Sequence, residues 1–119
     1  MALFCTRLDR FAQFVAYDAS RQPIGMIEVA LRSDYVNGTS SSPVAFLEGI
    51  YVIPAARGRG VARNLVTCAE QWAVLAGCSE FASDAQLENA ASHAMHRALG
   101  FSETERVVYF RKPLHDNVT

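Results

Sequence analysis

Arg57-Gly58-Arg59-Gly60-Val61-Ala62 is the stretch on which the fold turns. It follows an apolar run from Phe46 to Val52 that reads as a strand, and it opens a run from Val61 that reads as a helix. Two glycines let the backbone turn so that successive N–H groups face one concavity. The positive end of a helix dipole and the guanidiniums of Arg57 and Arg59 add to the pull on an anion there. A pyrophosphate is the natural guest. The spacing excludes two other phosphate-binding turns, because there is no GxxxxGK[ST] and no GxGxxG with an acidic residue placed for a ribose. Taken alone, the hexapeptide also suits a basic glycine turn on a solvated surface, so the rest of the chain has to decide.

Working outward, the apolar positions after the turn fall at 61, 62, 65, 66, 69, 72, 73 and 76. That is one face of a 3.6-residue period, closed by Gly77, with Trp72 as a core anchor and Cys68 as a small buried hydrophobe. Upstream, Phe11 to Tyr17 and Ile24 to Arg32 read as a hairpin joined by the turn residues Asp18 to Pro23. Ser33 to Pro43 is a long polar loop with Asn37-Gly38, and Val44 to Val52 is a third strand ended by Pro54. Downstream, Glu80 to Ser83 is a short strand. Asn89 caps a helix that runs to Leu99 and stops at Gly100, with Phe101 folding back on its last turn. Val107 to Arg111 is expected to close the sheet, and residues 113–119 form a loose tail. The order is β-β-β-α-β-α-β, an α/β (α+β) mixed sheet with helices to cover it, in one domain spanning residues 1–119.

Composition narrows the function. Half of the 119 residues are apolar and the net charge is −1, which offers no surface for nucleic acid. No apolar run approaches the length of a membrane span. Lys112 is the only lysine, so the basic groups are almost all planar, phosphate-matching guanidiniums; genomic composition explains this bias equally well. Cys5, Cys68 and Cys78 make no CxxC pair, which with the absence of a signal peptide suggests a reduced, cytoplasmic setting. The histidines have no partners at metal-ligand spacing, and no metal is expected.

Arg57, Gly60 and Ala62 also fill the pattern [Arg/Gln]-x-x-Gly-x-[Gly/Ala], and the chain resembles the GCN5-related N-acetyltransferase (GNAT) superfamily. Asn89, His96 and Leu99-Gly100-Phe101 are similar to its second block. Three further stretches look like aminoglycoside 6'-N-acetyltransferases: Asp34-Tyr35-Val36-Asn37-Gly38, Ser42 to Tyr51, and Gly100 to Val108. The similarity covers residues 11–113. Superfamily members usually begin with another strand and two helices, and only Met1 to Arg10 occupies that space here. The resemblance therefore implies a GNAT-like sheet lacking the N-terminal strand and two helices, with one wall of the acceptor site missing. A sheet face left uncovered in this way should seek a partner, and a homodimer is expected.

The resemblance implies acetyl-CoA as co-substrate and an amine, an aminoglycoside, as acceptor. It assigns the pantetheine arm to backbone groups of Glu48, Gly49, Ile50, Tyr51 and Val52 where two parallel strands splay, and a coenzyme contact to Asn89. The pyrophosphate then belongs to Arg57, Gly58, Arg59, Gly60, Val61 and Ala62. An N–H near Ile50 would polarise the thioester carbonyl. Glu48 and Asp84 are the candidates for taking the ammonium proton. For Glu48, set in an apolar strand, the cost of burying an unpaired charge argues for function. Asp84 opens a stretch, Asp84 to Asn89, that is also good turn-and-cap sequence. His96 occupies the position where most superfamily members carry a tyrosine that protonates the departing thiolate; the alternative is an ordinary helical histidine. A polycationic acceptor needs a carboxylate-rich rim, for which Asp34, Glu48, Asp84, Glu88, Glu103 and Glu105 are available, with Tyr35 beside them. Two other readings share the same turn: a truncated, inactive CoA-binding module, and an acetyltransferase for another small amine or a peptide.

Overall fold

Five strands form one mixed sheet in the order β1-β2-β3-β4-β5: Ala2–Leu8, Phe11–Tyr17, Pro23–Arg32, Val44–Val52 and Phe81–Ala82. The structure is a computed structural model that describes residues 2–115, apart from the side chains of residues 2, 4, 6, 7 and 8. The first three pairings are antiparallel, and β4 pairs with β5 in parallel through only Ala45↔Phe81 and Phe46↔Ala82. After β4 come a single 3-10 turn, Pro54–Ala56, and helix α1, Val61–Leu75; helix α2, Ala90–Ala98, follows β5.

Alternation decides which face is core. Ala12, Phe14 and Ala16 of β2, Ile27 and Val29 of β3, and Leu47 of β4 point to one side and are buried. Val61, Leu65, Val66, Ala69, Trp72 and Ala73 of α1 cover them, so the helical period and the strand period meet in a single cluster. Gly25 allows the close approach. A Cβ there would lie 3.0 Å from Val61 Cγ1 and 3.1 Å from the carbonyl oxygen of Tyr51. Burial pushes the thiols of Cys68 and Cys78 above the ordinary thiol range, consistent with packing rather than reactivity. On the opposite face, Phe11, Gln13, Val15, Met26 and Glu28 are only half-buried.

The hairpin turn is built as its residues dictate. Asp18 Oδ1 accepts from the N–H groups of Ser20 and Gln22 at 2.8 and 2.9 Å, and Arg21 adopts a positive φ of 63°. Helix α1 ends at the Ala76 cap, with Gly77 at φ 92° just beyond. Helix α2 starts at Asn89, whose side chain accepts from Ser92 N–H at 3.0 Å. It ends with Gly100 at φ 94° and Phe101 N–H returning to His96 O at 2.9 Å.

Two expectations about the ends of the sheet are corrected. Residues 2–8 form a strand paired along its length with β2, so an N-terminal strand is present. The described residues before β2 contain no helix. At the other end, Val107 to Arg111 form no strand, and residues 102–115 are exposed throughout without helix or strand. Their sequence suits a strand, but strand formation needs an edge to pair with, and β5 is paired over two residues only. The observed order is therefore β-β-β-β-α-β-α. The last four residues, 116–119, lie outside the described residues.

Candidate active site

The Arg57–Ala62 turn sits at the mouth of a cleft of about 520 Å³ between the end of β4, the start of α1 and one side of α2. Gly58 and Gly60 both take φ 79°, and nothing stands within 4 Å of where a Cβ would be. They are glycines because of their dihedrals, not because of crowding. Helix α1 begins at Gly60 with no side-chain cap and no acidic residue in its first turn. Its first N–H groups and its dipole therefore face the cleft uncompensated.

Of the residues expected at the cofactor, Ile50, Tyr51, Val52, Arg57, Gly58, Gly60, Val61 and Ala62 line this cleft. Arg59 and Asn89 do not. Arg59 is exposed at the turn, and the Asn89 carboxamide oxygen serves as the cap of α2. Arg57 is partly structural, since its Nε donates to Val52 O at 2.9 Å and fastens the turn to β4. Arg63, Met95 and Leu99 also line the cleft and were missed. Met95 and Leu99 are one helical turn apart, a spacing that could have marked that face of α2. Arg63 donates to Ala98 O at 2.9 Å and ties the two helices together.

The strand splay is explained by the register. Glu28 pairs with Gly49 and Val29 with Leu47, which leaves Glu48 as the extra residue of a β-bulge. On the other edge, pairing with β5 stops at Phe46↔Ala82. Leu47 and Ser83 are thus the first residues on either side of an opening whose backbone groups are free to pair with something else. Glu48 is not the buried, unpaired charge its apolar setting suggested. Its side chain is 34% exposed, and its Oε1 accepts from Arg32 Nη2 at 3.0 Å. The Arg32 guanidinium lies 3.6 Å over the Phe46 ring.

His96 projects from α2 toward β5. Its Nδ1 is 2.7 Å from Ser92 O and its Nε2 is 2.7 Å from Ser83 Oγ. A carbonyl oxygen only accepts, so Nδ1 carries a hydrogen. In the neutral ring, Nε2 then accepts from the Ser83 hydroxyl. Phe101 packs edge-on against the imidazole at 5.3 Å and against Phe81 at 5.2 Å. Asp84 follows Ser83 and is exposed.

The carboxylates expected at an acceptor rim stand in several settings. Asp34 and Tyr35 line a second recess, of about 360 Å³, together with Arg10 and Arg32. Glu103 is paired with Arg106, whose hydrogen bond and charge hold the Glu103 carboxyl below the usual range. The loop carrying Asp34 is brought against this segment: Gly38 faces the Thr104 side chain, which a Cβ there would strike. Glu80 pins the same loop by accepting from Ser40 N–H at 2.9 Å and from the Ser41 hydroxyl, and these bonds lower its pKa. Glu88 and Glu105 are exposed. Among the described residues, no group of three or more His, Cys, Asp or Glu side chains could hold a metal ion.

A bulged fourth strand, a parting parallel neighbour and a glycine turn at an uncapped helix meet in one cleft, and residues 3–101 match the acetyltransferase (GNAT) family. The chain belongs to this family. It is 61% identical over 100 residues to an aminoglycoside N(6')-acetyltransferase type 1 of Acinetobacter genomosp. 13, spanning 84% of this chain and 68% of that relative. The apo crystal structure of an aminoglycoside antibiotic 6'-N-acetyltransferase from Acinetobacter haemolyticus is similar at TM-score 0.84 and 57% identity, over 89% of this chain and 72% of that one. The structure of AAC(6')-Iy in complex with the bisubstrate analogue CoA-S-monomethyl-acetylneamine is similar at TM-score 0.83 and 48% identity, over 90% and 72%.

Proposed function

We propose that this GNAT protein transfers the acetyl group of acetyl-CoA to a primary amine, the 6'-amine of an aminoglycoside. The observation that carries this is the cleft itself: the β4 edge, the glycine turn and the α1 N-terminus converge where a pantetheine arm and a diphosphate would lie. Relatives at 61 and 59% identity are named as aminoglycoside N(6')-acetyltransferases.

The pyrophosphate is held by the N–H groups from Gly58 to Ala62. The pantetheine amides pair with the free edge of β4 at Ile50 to Val52, as an added strand would. The Ile50 N–H polarises the thioester carbonyl where charge develops on oxygen. Glu48 receives the acceptor ammonium and removes its proton, directly or through water, because only the neutral amine is a nucleophile. Asp34, Tyr35, Asp84 and Glu103 hold the remaining positive groups of the acceptor. The amine nitrogen bonds to the acetyl carbon, the carbon–sulfur bond breaks, and His96 is the source of the proton that the thiolate takes up.

The working form is a homodimer in the cytoplasm, built from one unit that spans the chain. Val108, Tyr109, Phe110 and Leu114 support this: they are at least 75% exposed, and β5, the last strand of the sheet, is paired on one side only. Such an aromatic, β-branched segment matches the open edge of a second copy. The described residues contain no helix long and apolar enough to cross a membrane.

The test is thiol release from acetyl-CoA in the presence of tobramycin, with the product identified as a mono-acetylated aminoglycoside. Turnover at the 6'-amine supports the assignment. Tight CoA binding with no turnover of any amine refutes it and leaves a CoA-binding module.

A further inference from the structure

His96 cannot itself touch the departing sulfur, because both its ring nitrogens are engaged. Nδ1 donates to Ser92 O at 2.7 Å, and Nε2 faces Ser83 Oγ at 2.7 Å. Phe101 covers one side of the ring, and the imidazole is half-buried. Ser83 is different. It is the first residue beyond the last β4–β5 pair, Phe46↔Ala82, and so stands at the apex of the strand opening, across from Leu47 and next to the Glu48 bulge. A thioester lying along β4, with its carbonyl near Ile50, brings its sulfur to that apex.

We infer that Ser83 is the group that hands the proton to the thiolate, and that His96 is the positioning residue that aims and recharges it. The inference rests on the acetyl-transfer reading above and deepens it. In the neutral ring the Ser83 hydroxyl hydrogen points at Nε2 and away from the cleft. When His96 is protonated, Nε2 becomes a donor and the direction of that bond reverses. The Ser83 hydroxyl hydrogen is then released toward the opening. As the carbon–sulfur bond breaks, sulfur takes the hydroxyl proton and Ser83 Oγ takes the proton from Nε2. His96 is left neutral with its remaining hydrogen held by Ser92 O. Solvent restores the Nε2 proton and accepts two from the acceptor nitrogen, the one Glu48 removes from the ammonium and the second shed as the amide forms, so one proton is released per turnover and charge balances. The Nδ1–H bond to a backbone carbonyl makes this work, because it fixes the tautomer and leaves Nε2 as the nitrogen that exchanges a proton with Ser83.

The experiment uses the full chain with acetyl-CoA and tobramycin. Ser83→Ala should lower kcat by about 100-fold, the scale of a positioned proton donor, with the calorimetric Kd for CoA within twofold of wild type. Ser83→Thr, which keeps the hydroxyl, should restore most of the rate. The double variant Ser83→Ala/His96→Gln should be no slower than Ser83→Ala alone, because residues acting in series are not additive. A proton inventory in mixed H2O and D2O should be curved for wild type, with two protons in flight, and not for Ser83→Ala. Near-wild-type turnover by Ser83→Ala, or a double variant that loses the product of the two single losses, overturns the relay. Wild type active on another amine but silent on aminoglycosides removes only the acceptor assignment, and the same variants test Ser83 on that amine. Wild type silent on every amine overturns both.

Discussion

Replacing Gly60 by aspartate separates the two roles of the glycine turn. Gly60 is the N-terminal cap of α1 at φ 79°, ψ 12°, with no atom within 4 Å of a would-be Cβ. A non-glycine residue in that left-handed region costs about 1–2 kcal/mol. An aspartate at a helix N-terminus returns about 1 kcal/mol through capping and the dipole, so the fold should lose less than about 1 kcal/mol. Binding is another matter. A carboxylate held some 4 Å from one phosphate charge is opposed by about 1 kcal/mol in bulk water and about 4 kcal/mol at a partly shielded surface. For a solvated diphosphate, roughly 2–4 kcal/mol is expected, a 30- to 1,000-fold loss of acetyl-CoA affinity. Gly60→Ala is the control, with the dihedral cost but no charge: it should unfold earlier by a few degrees and keep affinity within a few-fold. Calorimetric titration with acetyl-CoA and a thermal melt on the three proteins decide the matter. If Gly60→Asp binds acetyl-CoA as tightly as Gly60→Ala, the diphosphate does not lie at this turn.

Three further outcomes are expected. Gly25→Ala places a methyl 3.0 Å from Val61 and 3.1 Å from the Tyr51 carbonyl, so urea unfolding should show about 1–3 kcal/mol of destabilisation; an unchanged midpoint would mean that α1 is free to shift. Arg32→Gln frees Glu48 Oε1 from its resident cation and should lower the KM for the acceptor several-fold, whereas a raised KM would show that the ion pair orients Glu48 for substrate. Glu80 has its pKa lowered by the bonds from Ser41 and Ser40, so its grip on the 33–43 loop is present above the usual carboxylate pKa and lost as pH falls through its depressed folded value. Protection of the Ser40 amide from exchange should therefore disappear on acidification and be lost at neutral pH in Glu80→Gln; equal protection in that variant would refute the assignment.

The parts of the fold that were legible are those whose signal is local and one-sided. Val44–Val52 and α1 came from apolar runs with a clear period, bounded by Pro54 and the glycines on either side of the helix. The termini of α2 came from Asn89 and Gly100, residues that shape the chain by their own chemistry. Val107 to Arg111 shows the limit: Val-Val-Tyr-Phe has the propensity of a strand, but a strand is made by its neighbour, and β5 is a strand over two residues only. Ala2–Leu8 was missed for the complementary reason, since its pairing with β2 is invisible until the tight turn at Asp9-Arg10 brings the two together. In the site, the phosphate turn was readable residue by residue. The bulge at Glu48 belongs to a register between two strands, and the Ser83–His96 bond joins residues 13 positions apart across a loop. Arg32, the partner of Glu48, had no signal of its own.

The seam between β4 and β5 is only two residue pairs long, and helix α2 contains no buried residue. The C-terminal third of the domain is thus attached rather than embedded, held at the C-terminal end of α2 by the Arg63–Ala98 bond and by the Phe81–Phe101 contact. A guest lying along the gap would act as a rivet through both halves. At a hundredfold excess over its dissociation constant, a ligand of the native state alone adds about 2.7 kcal/mol to the unfolding free energy. The protein's rigidity is accordingly a property it shares with its co-substrate: starved of acyl carrier, its C-terminal flap should breathe, and saturated, it should close into one solid.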